Sequence, residues 1–200
     1  MLFLLFVGKI TNMGSELSRT PGRTYYESTI KDFVNNKHPE DIITFLTESD
    51  ELSETYELHL QQKAWRNQIT ILKDYLTDKE GYIIFEYILS RVNMRIDVVL
   101  LMGGVVYSLE FKNNIDEFTP EYIDQAEGYG YALKNFYEAN RDRFVVPILI
   151  ATKAPDSECS TSADLGQDKL FSLFKEDNTY LSPTLLLLEL FYIQDSQLLI

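Results

Sequence analysis

The chain has a single cysteine, Cys159, and only two histidines, His38 and His59. One thiol rules out an internal disulfide framework and agrees with a reducing, cytosolic setting. Two isolated histidines leave no His-based triad and no His/Cys zinc site, since both need several such groups converging. No GxxxxGK[ST] occurs anywhere in the sequence, so the chain by itself is no P-loop ATPase or helicase. Long apolar runs are missing too. MLFLLFVGKI at the start and TLLLLELFYI over residues 184–193 are too short to cross a bilayer, and the first has no basic leader or small-residue cleavage site. The first reads as an added strand or as sequence preceding a start at Met13, and a soluble, cytoplasmic protein with no membrane partner is expected. Positive charge is scarce as well: the formal net charge is −13. Nucleic acid could not be held by overall electrostatics, and any such role needs a local group of cations or a metal ion.

What is present is a folding composition. The 200 residues are 45% hydrophobic, with 13 Tyr and 12 Phe, enough for one domain with a real core. From Tyr25 to about Glu48 the pattern predicts two short helices, the second opening at HPED with Pro39 in its first turn. Between about Ser53 and Leu76, Trp65, Ile69, Leu72 and Leu76 recur on one face of a longer helix. Trp65 fits a core anchor better than a base-stacking platform. YIIFEYIL, Tyr82 to Leu89, reads as a first strand with Glu86 inside its apolar run. Thr119-Pro120 starts a helix to about Ala139, and FVVPILIA, Phe144 to Ala151, is a fourth strand whose Pro147 argues for an edge or bulge. The expected order is helix, three strands, helix, strand: an α/β fold with a small mixed β-sheet, an antiparallel hairpin plus further strands, flanked by helices. Residues 1–22 read as an extension, 23–152 as the domain, and 153–200 as a loop and C-terminal segment, a possible remnant of a longer protein.

The hairpin RIDVVLLMGGVVYSLEFK, Arg95 to Lys112, carries the chemistry. Gly103-Gly104 suits a two-residue turn, which pairs Met102 with Val105 and, proceeding outward, Asp97 with Glu110. Lys112 shares the side of Glu110. Both faces of the hairpin are apolar, so the two acids sit at the rim of a buried region, where facing like charges are destabilising. A divalent cation would compensate. Two carboxylates suit Mg²⁺ or Mn²⁺, with phosphate oxygens and water completing the shell, and Lys112 beside them fits phosphodiester hydrolysis. The competing reading is a strand-end salt bridge from Lys112 to Glu110 or Asp97.

RID followed by LEFK resembles the PD-(D/E)XK nuclease superfamily, although Ile96 stands where that family has proline. Gln125 and Tyr129, four apart on the next helix, are similar to the QxxxY motif of its RecB-type members, where they touch phosphate or brace the lysine; a core stripe continuing to Phe136 is the alternative. Taken with RTYYESTIKDF, AWRNQITILKDYL, DQAEGYGYALKNF and VVPILIAT, roughly residues 23 to 152 resemble the N-terminal nuclease-like domain of bacterial Schlafen-like DNA/RNA helicases. The resemblance implies a restriction-endonuclease-like core and a metal-dependent nuclease of DNA or RNA. It implies Asp97 and Glu110 as metal ligands, Lys112 as catalytic cation, and Gln125 and Tyr129 in support. A helicase or ATPase would come from another chain. Family members often carry acids in the long helix where Asn67 and Gln68 stand here; Glu86 could replace them in part, or could be a strand acid paired with Arg91 or Arg95. The same departure admits a nuclease-fold binding module with decayed catalysis. Lys134, Arg141 and Arg143 read equally as a phosphate contact or a solvated helix end.

Overall fold

A computed structural model describes residues 24–35, 37–49, 56–89, 92–136, 140–160 and 164–177. The readings made for residues 1–22 and for the apolar run 184–193 lie outside these. Within them the chain builds one six-stranded mixed sheet flanked by four helices. The strands are β1 (Tyr26–Thr29), β2 (Tyr82–Leu89), β3 (Met94–Met102), β4 (Val105–Lys112), β5 (Val145–Ala151) and β6 (Phe174–Glu176), in spatial order one to six. β1 to β4 are antiparallel neighbours, while β4, β5 and β6 run parallel. The helices are α1 (Ile30–Asn35), α2 (Pro39–Ser49), α3 (Tyr56–Tyr75) and α4 (Pro120–Phe136).

The expected long elements form where the periodicity puts them. Trp65, Ile69, Leu72 and Leu76 are all fully buried, in a cluster with Phe85, Val98, Leu100 and Tyr107 on one face of the sheet. The other face carries Val99, Leu101 and Val106 against Tyr129, Ala132 and Leu133 of α4. Gly103 and Gly104 have φ of 55° and 86°, as a primed two-residue turn requires. β3 and β4 consequently pair in the expected register, from Met102↔Val105 out to Val98↔Leu109. Thr119 caps α4, its Oγ1 accepting the Tyr122 N–H. A Cβ on Gly130 would lie 3.1 Å from the Pro147 side chain, so the glycine lets α4 settle closely on β5.

Two expectations need correction. The first of the two short helices is preceded by a strand: Tyr26–Thr29 pair with β2, and α1 starts only at Ile30, its first turn capped by Thr29 Oγ1 accepting the Asp32 N–H. A four-residue strand of mixed polarity has too little alternation to announce itself, and its pairing with β2 decides its conformation. β5, secondly, is not an edge strand, because β6 covers its far side. Pro147 is tolerated there for a local reason. Val145 donates its N–H to Lys169 on that side, so the position two residues on faces the same way. Pro147 thereby falls between the isolated bridge at Val145↔Leu170 and the start of β6 pairing at Ile148↔Phe174, where no ladder bond needs a donor.

Candidate active site

The three strands β2, β3 and β4 bring Glu86, Asp97 and Glu110 level with one another, and here the sheet departs from regularity. In the β2–β3 register Glu86 should oppose Asp97, between Phe85↔Val98 and Tyr87↔Ile96, yet that pair is absent from the ladder. Glu86 has φ of 51°, an unusual value for a non-glycine residue within a strand. The alternation skips with it: Phe85 and Val98 face the α3 side, whereas Tyr87 and Ile96 belong to the α4 side. A left-handed residue of this kind costs roughly 1–3 kcal/mol and persists only where surroundings hold it. What holds Glu86 is visible. Its Oε1 accepts Trp65 Nε1–H at 2.6 Å and Gln61 Nε2 at 3.4 Å, and its Oε2 lies 2.8 Å from Arg95 Nε. Glu86 is thus a strand acid paired with Arg95, and Arg91 lies outside the described residues.

The break frees Asp97. The β3–β4 ladder stops one pair short of Asp97 and Glu110, and the Asp97 carboxylate instead accepts the Phe111 backbone N–H at 2.9 Å through Oδ2. From α3, Gln68 Nε2 reaches the same oxygen at 3.4 Å. Asp97 is partly buried, and burial raises its proton affinity against the opposing pull of Phe111, Lys112 and Arg95, to a pKa of about 6. Glu110, almost wholly buried, is pushed further, to about 8, first by desolvation and next by the charge of Asp97. The two carboxyl groups therefore sense each other across adjacent strands, but the direct Asp97↔Glu110 pair expected from the hairpin register is absent from the ladder, because Asp97 accepts the Phe111 N–H instead.

Alternation along β4 turns Glu110 and Lys112 toward α4. Lys112 Nζ donates to Glu110 Oε1 and to Gln125 Oε1, both at 2.8 Å, and lies 4.6 Å from the centre of the Tyr122 ring. Gln125 passes the chain on, donating through Nε2 to Tyr129 Oη at 2.7 Å. Tyr129 has its own proton held more tightly than usual, by burial and then by Glu110. The i, i+4 pair is thus a polar relay ending on the lysine, and Phe136 is exposed rather than a continuation of a core stripe. An ammonium has three donors. Two of those on Lys112 are engaged, leaving one without a hydrogen-bond partner among the described residues.

The residues fit a hard divalent cation on one specific ground. Glu110 Oε2 is buried with no hydrogen-bond partner among the described residues, an acceptor that costs free energy unless a proton or a cation occupies it. Among the described residues no three or more His, Cys, Asp or Glu side chains are grouped so as to hold a metal. Mg²⁺ needs no such group, since one or two carboxylates with water and phosphate oxygens suffice.

Two participants were not legible as such in the sequence. Gln68 entered only as a departure from a family pattern, yet it contacts Asp97; Tyr122, one turn before Gln125, faces Lys112. The i, i+3 spacing to Gln125 was the available signal for Tyr122. Lys134, by contrast, is buried and donates to the carbonyl oxygens of Asn140, Arg141 and Arg143, tying down the chain after α4. It is a structural lysine and not a phosphate contact. No family model, no curated protein and no solved structure matches this chain. No helix among the described residues is long and apolar enough to cross a membrane.

Proposed function

We propose that the chain is a metal-dependent nuclease hydrolysing DNA or RNA phosphodiester bonds in the cytoplasm, as its resemblance to PD-(D/E)XK enzymes implies. The observation that carries this reading is the buried, partnerless oxygen of Glu110 beside a lysine that is itself aimed by a glutamine–tyrosine relay. A strand-end salt bridge would need none of that apparatus. Glu110 and Asp97 would hold Mg²⁺ or Mn²⁺. The ion, when bound, supplies Lewis-acid polarisation of the phosphoryl group and a nucleophilic water at neutral pH.

The protein's own share is positional. Phe111 N–H and Gln68 fix the Asp97 carboxylate, so that its orientation does not depend on the ligand. Lys112 holds one donor toward a phosphoryl oxygen, where charge develops in the transition state, and Gln125 and the Tyr122 ring keep the ammonium from swinging away. Burial of the acids excludes bulk water and strengthens each of these interactions.

A second reading, a nuclease-fold module with decayed catalysis, is favoured by Gln68: a neutral amide contacts Asp97 where related nucleases often place a further acid. One experiment decides between them. The protein is incubated with linear and circular, single- and double-stranded DNA and with RNA, in Mg²⁺, Mn²⁺ or EDTA. Cleavage in divalent metal that vanishes in EDTA and in Glu110→Gln supports the enzyme. Intact substrate throughout overturns it in favour of the binding module.

A further inference from the structure

The outer face of α3 differs from the rest of this acidic protein. From Leu58 to Lys73 the helix carries no Asp or Glu, although the whole chain has 31 of them, and it presents Lys63 and Arg66 to solvent. Beside them lies an open groove of about 520 Å³, walled by Leu60, Lys63, Arg66 and Asn67 of α3 and by Asn113 and Asn114, which follow β4. The groove borders the candidate active site without including its side chains: Asn113 succeeds Lys112, and Asn67 Nδ2 donates to Asn113 Oδ1 at 2.5 Å while its neighbour Gln68 reaches Asp97. Away from the site, the same stripe continues through Leu60 to Tyr56, which are 51% and 76% exposed. Large apolar side chains left this open in line with cations and amides suit a ligand with alternating flat apolar and anionic parts.

Resting on the nuclease reading, we infer that this groove is the track of a single nucleic-acid strand leading past Gln68 toward Asp97. Lys63 and Arg66 meet its phosphates, the amides of Asn67 and Asn113 meet sugar or phosphate oxygens, and Leu60 and Tyr56 carry a base. Single strands are held by this combination of backbone cations and aromatic platforms. Positions 56 and 67 lie about 16 Å apart along the helix axis at roughly 1.5 Å per residue, long enough for several units of an extended strand. Arg66 is now paired with Glu40 at 2.9 Å, both side chains well exposed. Such surface pairs contribute little, so a phosphate can displace Glu40 readily.

The test measures binding without cleavage. Fluorescence anisotropy in EDTA follows labelled oligo-dT, oligo-U and a duplex of equal length over a range of salt, for the parent, the double variant Lys63→Gln/Arg66→Gln, and Tyr56→Ala. All three positions are exposed, and thermal melts confirm that the variants fold. The expected result is single-strand binding whose log–log salt slope falls by about 0.7 for each cation removed. Tyr56→Ala should weaken binding about 5- to 100-fold with the slope unchanged. Whichever of DNA or RNA binds more tightly identifies the strand. Unchanged affinity and slope in both variants, tighter binding of the duplex, or no binding by the parent overturns the inference. Metal-dependent cleavage is scored separately. Cleavage that survives with unaltered variant binding leaves the nuclease reading standing and removes the groove, while groove-dependent binding without cleavage does the opposite.

Discussion

Replacing Glu110 by Gln should make the metal-free protein more stable at alkaline pH. The charged and titratable groups around Glu110 are Asp97 from the neighbouring β3, Glu86 from β2 beyond it, Lys112 from its own strand, and Tyr129 from α4. Despite Lys112, the folded protein holds the Glu110 proton up to about pH 8, against an ordinary value of 4.5. An acid whose folded pKa is raised contributes stability that is present below the unfolded pKa and is lost as pH rises through the folded one. The parent in EDTA should therefore weaken between about pH 4.5 and pH 8, with Asp97 adding to the loss as it ionises near pH 6. At about 1.4 kcal/mol for each tenfold change in proton affinity, the rise to about 8 sets a ceiling of about 5 kcal/mol for Glu110. Part of that rise is the charge of Asp97, so about 2–4 kcal/mol is expected, or roughly 5–15 °C in Tm for a chain of this size. Glu110→Gln keeps an amide oxygen for Lys112 and removes the ionisation. Melting curves from pH 4 to pH 9 in EDTA should coincide at the acid end, separate progressively from about pH 4.5 and reach their full gap near pH 8, with the variant the more stable. A variant less stable than the parent at every pH, with a flat parent profile, would show that Glu110 is an ordinary partner of Lys112.

Asp97→Asn should likewise be no less stable than the parent in EDTA while losing the Tm gain that Mg²⁺ gives. A large loss of stability in EDTA with an intact Mg²⁺ response would assign Asp97 to structure. Lys112→Met should lower kcat about 10²- to 10³-fold while the metal-induced Tm shift persists. Gln125→Ala removes the acceptor that aims Lys112 and should cost about 10-fold or more in cleavage at nearly unchanged metal affinity, read by titration calorimetry. Trp65→Phe deprives buried Glu86 of its shortest hydrogen bond and should destabilise by about 1.5–3 kcal/mol in urea unfolding, a loss that an unchanged midpoint would exclude.

Much of this arrangement could be read from the residues because it rests on strong local rules. Gly103-Gly104 sets the turn, the turn sets the register, and the register brings Asp97 and Glu110 to adjacent strands. The Trp65 to Leu76 stripe is long enough for its period to specify a helix. Illegible were the features that tertiary contacts decide. β1 is too short and mixed to show a period, and β6, three residues long, exists through its pairing with β5. The left-handed Glu86 is the clearest case. Nothing in YIIFEYIL announces a break, since it depends on Trp65 and Arg95 converging from two other elements. The contact of Gln68 with Asp97 has the same character, joining residues 29 positions apart.

The central claim, that Asp97 and Glu110 form one cation site, is tested most directly by counting protons. Metal ligands must be deprotonated, so binding releases whatever protons they hold. At pH 7, with Glu110 titrating near 8 and Asp97 near 6, the pair retains about one proton. Calorimetric titration of Mg²⁺ or Mn²⁺ into the parent, in two buffers of different ionisation enthalpy, should give one site with release of close to one proton per ion. That release should fall toward zero above about pH 9, and both binding and release should vanish in Glu110→Gln. Binding without proton release at pH 7, or an identical titration by Glu110→Gln, would contradict the account.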